Sequence, residues 1–216
     1  LVNGYGMSEV GSAVHMPLDG GYMARNSHAV GFTAPYIEVR LANEDGEPVA
    51  DGDVGEIWMT GPSVSPGYWR QPEATAATHR GVWFRSGDLG RYQEDGALVI
   101  VDRLKDMYIS GGENVYPAEV EAVLRQVEGV IDAAVVGVAD PRWGEVGAAF
   151  IETAKAHAAI GAAVRERCSK VLARYKQPAH LRFVEALPRT GSGKVLKQRL
   201  RDGFLHDQTH ARSDTA

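Results

Sequence analysis

The chain has 216 residues, 44% of them hydrophobic, which is enough for one large or two small domains with buried cores. A net charge of −5 and a pI near 5.8 argue against a nucleic-acid-binding or membrane-surface protein. No apolar run reaches the roughly 20 residues of a membrane span, no leader pattern opens the chain, and the lone Cys168 can form no internal disulfide, so a cytoplasmic setting is expected.

The chain opens on Leu1, and its first methionine, Met7, lies inside a glycine-rich turn, which reads as the middle of a longer protein. Asn3–Gly11 (NGYGMSEVG) is expected as a loop and Ser12–Ala34 as irregular. Ile37–Leu41 and Val54–Thr60 are predicted as a strand pair across a polar turn containing Asp45-Gly46 and Asp51-Gly52. Pro72-Glu73-Ala74-Thr75 starts a short helix, and Trp83–Leu89 is an aromatic strand running into Ser86-Gly87-Asp88. Everything up to about Arg103 is therefore expected to be mostly β, a small barrel or sandwich.

Val101–Val120 (VDRLKDMYISGGENVYPAEV) joins this part to one with a different rhythm. Ala97–Val101 and Met107–Ser110 read as strands separated by the charged run Asp102-Arg103-Leu104-Lys105-Asp106. That run is either a solvated hairpin loop or a hinge between domains, with Gly111-Gly112 letting another molecule approach the backbone closely. Beyond it, Pro117–Val127 is predicted as a helix, with Pro at its first position and Glu119 and Glu121 in its first turns to suit the helix dipole. Ile131–Val138 and Val146–Glu152 are strand candidates, Ala158–Tyr175 a longer helix with Cys168 on its inner stripe, and Leu181–Val184 a last strand. A flexible loop, Leu187–Lys194, then leads to a basic helix, and the chain from His206 is expected to fray. Helices on a small sheet give two layers, an α+β arrangement.

Individual motifs leave alternatives open. Gly191-Ser192-Gly193-Lys194 is no phosphate loop, because Pro188 stands where Gly is needed and Val195 where Ser or Thr is needed. It remains a lysine on a mobile Gly/Ser loop, able to deliver one positive charge to an anion or simply to be solvated. Gly4-Tyr5-Gly6 is no dinucleotide fingerprint, since Glu9 replaces the third glycine. Glu9 is either a hard-cation ligand or half of a loop salt bridge. Asp88 could accept hydrogen bonds from a sugar diol or cap a turn. Arg103 could bind a ribose or pair with Asp102 or Asp106. The histidines lack metal-ligand spacing.

Five stretches in order change this picture: Gly4–Glu9 (GYGMSE), Gly55–Trp69 (GEIWMTGPSVSPGYW), Trp83–Leu89 (WFRSGDL), Val101–Glu121 and Pro188–Lys197 (PRTGSGKVLK). With them the chain resembles the adenylate-forming enzymes: acyl-CoA synthetases, 4-coumarate-type CoA ligases, luciferases and peptide-synthetase adenylation domains. The wording ISGGENVYPAEVE and the turn Arg142-Trp143-Gly144-Glu145 are most similar to fatty-acyl or aryl-acid CoA ligases. The resemblance covers all but the tail and corresponds to the C-terminal two fifths of such an enzyme.

What the resemblance implies is a two-step reaction, in which a carboxylate and ATP give an acyl-adenylate and a CoA thiol then takes the acyl group. ATP/AMP, Mg2+ and coenzyme A are the implied cofactors. Tyr5 would lie against adenine, with Gly6 beside it and Ser8 near the phosphates, and Glu9 would help hold magnesium. Asp88 and Arg103 would bind the ribose, and Lys105 would be the hinge. Gly111 and Gly112 would border the pantetheine passage, and Lys194 would be the adenylation lysine. The implied fold is a β-rich, distorted-barrel remnant of a large domain over 1–103, a small α+β domain over 104–205 and a disordered tail over 206–216. The family's phosphate loop and acyl pocket normally precede the motif at Tyr5, so the chain is expected to be inactive without the N-terminal portion of the same enzyme, its implied partner. A non-catalytic nucleotide- or CoA-binding module, an adenylation domain serving a carrier protein and a homodimer are the alternatives left open.

Overall fold

The computed structural model describes residues 2–213, with side chains through His206, and the chain divides into two units, Leu1–Lys105 and Asp106–Ala216. Unit 1 opens with a hairpin, β1 (Gly4–Met7) and β2 (Gly11–His15), where a loop was expected. The segment expected to be irregular holds β2, a short helix α1 (Gly20–Arg25) capped by Asp19, and β3 (Phe32–Thr33). The sheet-forming run is β4 (Glu38–Ala42), β5 (Gly55–Thr60), helix α2 (Pro72–Thr78), β6 (His79–Arg80), β7 (Trp83–Tyr92) and β8 (Leu98–Arg103).

The expected barrel is not what these strands build. β1, β2 and β3 make one sheet, and β4, β5 and β7 with β6 and β8 make another. A single bridge, Gly31 to Leu98, ties the two sheets, and among the described residues no strand closes them into a ring. Ile57, Met59, Phe84 and Leu98 meet Val10 and Val14 in the core between them. β5 is buried from Gly55 through Met59, which is why it reads as a continuous apolar run around one glutamate.

Unit 2 contains β9 (Tyr108–Ser110), β10 (Glu113–Val115), helix α3 (Pro117–Leu124), β11 (Asp132–Asp140), β12 (Gly144–Glu152), helix α4 (His157–Val171), β13 (His180–Val184) and helix α5 (Lys197–Ser213). α4 stops at Val171, and the turn expected to finish it is a separate 3-10 turn, Arg174–Lys176. The sheet runs β10-β9-β12-β11, with β13 added parallel to β12.

Two layers were expected here, and there are three. Ala133 and Val135 of β11 face Val120, Leu124, Ile160 and Val164 of α3 and α4. The intervening Ala134, Val136 and Val138 face Leu200 and Phe204 of α5. Covering both faces explains the unbroken apolar wording of β11, and α5 fills its side with two large residues in an otherwise polar helix. α5 also carries helical backbone past His206, where fraying was expected, as far as Ser213; positions 214–216 lie outside the described residues. Between β9 and β10, Gly111 and Gly112 have φ of +62° and +88°. A two-residue hairpin turn with both φ positive favours glycine strongly, and a Cβ at Gly111 would stand 2.7 Å from the Trp143 ring.

Candidate active site

Three of the residues singled out in unit 1, far apart in sequence, meet at one carboxylate. Asp88 of β7 lies directly across from Arg103 of β8 in the antiparallel register, with Arg103 Nε 3.4 Å from Asp88 Oδ1. The Tyr5 hydroxyl donates to Asp88 Oδ2 at 2.9 Å. Burial pushes the Tyr5 hydroxyl well above its usual range; a hydrogen bond with Ser86 and the Arg103 charge oppose this, and the Asp88 anion adds to it. Tyr5 is thus a neutral donor at any physiological pH.

Irregularities in the strands aim these side chains. The β1–β2 register slips between Tyr5 and Gly6, and a Cβ at Gly6 would fall 2.1 Å from the Gly11 carbonyl oxygen. Only a glycine lets β2 cross so closely. The β5–β7 and β7–β8 registers also slip, near Glu56 and Leu89, and such bulges re-aim neighbouring side chains. Ser86 Oγ accepts the Asp88 amide at 3.0 Å.

Glu56 was not singled out by sequence reasoning. It is 6% exposed and accepts from Trp58 Nε1 at 2.8 Å, from Arg85 Nε at 3.1 Å and from the Gly87 amide at 3.1 Å. It therefore fixes the backbone just before Asp88. A glutamate inside an apolar strand, two residues from a tryptophan, was the available signal, because a buried carboxylate requires donors.

Glu9 sits in the turn after β1, where its Oε1 accepts from the Tyr68 hydroxyl at 2.7 Å and its backbone carbonyl accepts the Ser65 amide at 2.7 Å. That bond to Glu9 raises the Tyr68 hydroxyl above its usual range. Tyr68 too was missed as a site residue, although its segment was quoted. Ser8 is exposed in the same turn. Glu9, Asp88 and Arg103 share the wall of an open cavity of about 610 Å³, which Lys105 borders at the end of the unit. Among the described residues no group of three His, Cys, Asp or Glu side chains could hold a metal. One carboxylate at a cavity wall fits a magnesium ion whose remaining ligands come from water and substrate phosphates.

The other candidates belong to unit 2. Gly111 and Gly112 form the β9–β10 turn, and the Gly111 amide donates to the Trp143 carbonyl at 2.8 Å. Lys194 lies exposed on the loop before α5, whose ends pair through the Arg189–Val195 bridge. Cys168 is buried in the α4 face, which raises its thiol above the usual range and suits a core role.

Residues 1–69 match the family model described as AMP-binding enzyme, and residues 119–194 match that of the AMP-binding enzyme C-terminal domain. A feruloyl-CoA synthase from Amycolatopsis is 47% identical over 204 residues, which are 94% of this chain and 41% of that protein. The chain belongs to the AMP-binding enzymes. It matches the C-terminal part of acid–CoA ligases and spans about two fifths of the length of the curated relatives.

Solved members of the AMP-binding enzymes agree. ATP-bound MatB from Rhodopseudomonas palustris superposes with a TM-score of 0.84 at 36% identity, covering 94% of this chain and 40% of that one. The o-succinylbenzoate CoA synthetase of Bacillus subtilis, in complex with its acyl-adenylate intermediate, gives 0.83 at 34% identity, over 93% and 40%. No helix among the described residues is long and apolar enough to cross a membrane.

Proposed function

We propose that this chain is the C-terminal part of an ATP-dependent ligase that joins a fatty or aryl carboxylic acid to coenzyme A. A carboxylate oxygen attacks the α-phosphorus of ATP, the bond to the β-phosphate breaks, and pyrophosphate leaves. The CoA thiol then attacks the acyl carbonyl, loses its proton, and AMP departs with the old mixed-anhydride oxygen. The observation that carries this reading is that Asp88, bonded by Tyr5 and paired with Arg103, lies with Arg103 at the wall of the cavity that Glu9 also lines. Each Asp88 oxygen takes one donor, the Tyr5 hydroxyl or the Arg103 guanidinium, and keeps a further lone pair that can accept from a ribose diol.

In this reading Tyr5 and Gly6 lie along adenine, Asp88 and Arg103 hold the ribose, and Ser8 meets the phosphates. Glu9, its Oε1 fixed by Tyr68, offers its carboxylate to magnesium, which when bound offsets polyphosphate charge. Bringing a carboxylate to a phosphate opposes like charges, about 4 kcal/mol for one pair at roughly 4 Å and an effective dielectric of about 20. Lys194, cationic and on a loop, relieves that repulsion as the bond forms. Its withdrawal for the second step requires motion, for which Lys105, in the exposed turn that ends unit 1, is the hinge. Gly111 and Gly112 keep the β9–β10 turn low for the pantetheine arm.

The test is ATP–pyrophosphate exchange with ferulate, benzoate, octanoate and palmitate, using the ligase that contains this chain and the 216 residues alone. Acid-dependent exchange, followed by thioester formation on adding CoA, is expected of the ligase and not of the 216 residues. Exchange by the 216 residues alone, or none with any carboxylate by the whole ligase, would contradict the proposal.

A further inference from the structure

Among the described residues, the densest set of ion pairs in unit 2 reaches both ends of the loop that carries Lys194. Glu121 of α3 is nearly buried, its side chain 8% exposed, and accepts from the Val135 amide at 2.9 Å and from Lys197 Nζ at 2.9 Å. Arg125, one turn later, reaches Asp132 Oδ1 at 2.7 Å and donates Nη2 to the Ala133 carbonyl at 2.9 Å. The second Asp132 oxygen takes Nη2 of Arg189, and Nη1 of the same Arg189 donates to the Gly193 carbonyl at 2.9 Å. Burial alone would raise the Asp132 carboxyl, but its bonds from Arg125 and Arg189 hold it below the usual range, so it is charged at neutral pH.

Arg189 and Lys197 stand on either side of Lys194 in sequence. Both feet of the loop are therefore tied to carboxylates carried by α3 and β11, and Arg125 contacts both of those carboxylates. Inside the loop the Lys194 amide donates to Thr190 Oγ1 at 3.1 Å, and the Thr190 amide donates to the Lys194 carbonyl at 2.8 Å. The Lys194 ammonium, by contrast, has no hydrogen-bond or ion-pair partner among the described residues. Gly191 and Gly193 would otherwise give this loop more backbone freedom than any other residue type. A wandering lysine loses the preorganisation on which electrostatic catalysis depends.

We propose that Arg189 and Asp132 form a clamp that positions Lys194 for acyl-adenylate formation. The clamp rests on the reading of Lys194 as the adenylation lysine. Arg189 is a positioning residue, acting through the Gly193 carbonyl one residue from Lys194. The planar guanidinium holds the carboxylate and the carbonyl from two separate nitrogens, a geometry that the single nitrogen of lysine does not reproduce.

The ligase containing this chain is assayed in single turnover for acyl-adenylate formation and, separately, for thioester formation from supplied acyl-adenylate. Arg189→Gln is expected to slow the first step roughly tenfold, the scale of a lost charge-assisted hydrogen bond, and to leave the second within about twofold. Arg189→Lys should not restore the rate. The double variant Arg189→Gln/Lys194→Ala should be no slower in the first step than Lys194→Ala, because the clamp has nothing left to position. Amide exchange at Gly191, Gly193 and Lys194 should quicken in Arg189→Gln. If Arg189→Gln folds poorly, Asp132→Asn provides the same comparison, since Arg125 keeps Glu121 and the Ala133 carbonyl. Equal slowing of both steps, multiplying losses in the double variant, or unchanged exchange would overturn the clamp. A wild-type ligase that forms no acyl-adenylate would reject the proposed function instead, while the amide-exchange comparison still tests the clamp.

Discussion

The two units present their candidate groups in opposite ways. In unit 1, Asp88 and Arg103 sit on paired strands, Tyr5 reaches the same carboxylate, and buried Glu56 fixes the backbone before them. In unit 2, Lys194 rides an exposed glycine-rich loop whose feet are tied and whose ammonium is unpaired among the described residues. Under the proposed function, the contrast matches the demands of the two steps. A nucleotide must be held through both, which favours groups locked by strands. A cation needed in only one step is better placed where it can engage and leave.

The sharpest way to break this comparison is Lys194→Ala. Loss of a preorganised charge should slow acyl-adenylate formation roughly 100- to 1000-fold while thioester formation from supplied adenylate changes little. Asp88→Ala should weaken AMP and ATP binding by about 10- to 100-fold, the scale of charge-assisted hydrogen bonds, and slow both steps. Equilibrium binding measured by calorimetry checks it, and unchanged affinity would remove Asp88 from the nucleotide site.

Lys105 sharpens the contrast from the boundary. Proline fixes φ near −65° and restricts the residue before it, here Leu104. Lys105→Pro should leave adenylation within about tenfold but cut CoA-dependent turnover far more, whereas Lys105→Ala should be mild in both. Equal harm from alanine and proline would make Asp102–Asp106 only a solvated turn.

Gly111→Ala tests the unit 2 scaffold alone. A left-handed φ and a Cβ 2.7 Å from the Trp143 ring should together cost at least about 1 kcal/mol. For a unit of this size that lowers Tm by roughly 4–8 °C, readable by calorimetry. The smallest effect is at Tyr5. Its folded hydroxyl titrates above the ordinary value of 10.0, so the neutral form contributes stability below about pH 10 that is lost as pH climbs beyond it. The urea midpoint of the wild type should fall more steeply above pH 10 than that of Tyr5→Phe.

Much of this was legible in the sequence, for local reasons. Strands such as Gly55–Thr60 and helices such as Pro117–Leu124 announce themselves through apolar pattern, turn residues and a leading proline. The β1–β2 hairpin did not, because Gly4-Tyr5-Gly6 owes its strand form to a partner strand and not to propensity. The third layer of unit 2 was hidden because Leu200 and Phe204 are two apolar residues in a basic stretch. Glu9, Asp88 and Arg103 were candidates residue by residue with alternatives open, and only motif order grouped them with Tyr5, since Tyr5 and Asp88 are 83 positions apart. Glu56 and Tyr68 act by holding other groups, and the Arg189 clamp joins residues 57 positions apart. Apart from the place of Glu56 in an apolar strand two residues from Trp58, these contacts leave no spacing signal.

The most direct test sets Asp88→Ala and Lys194→Ala side by side in single-turnover assays of both half-reactions. The predicted result is an asymmetry: Lys194→Ala slows adenylation at least tenfold more than thioester formation, whereas Asp88→Ala slows the two within about threefold of each other. The same ratio of losses for both variants would contradict the division of labour between a strand-held nucleotide site and a loop-borne cation.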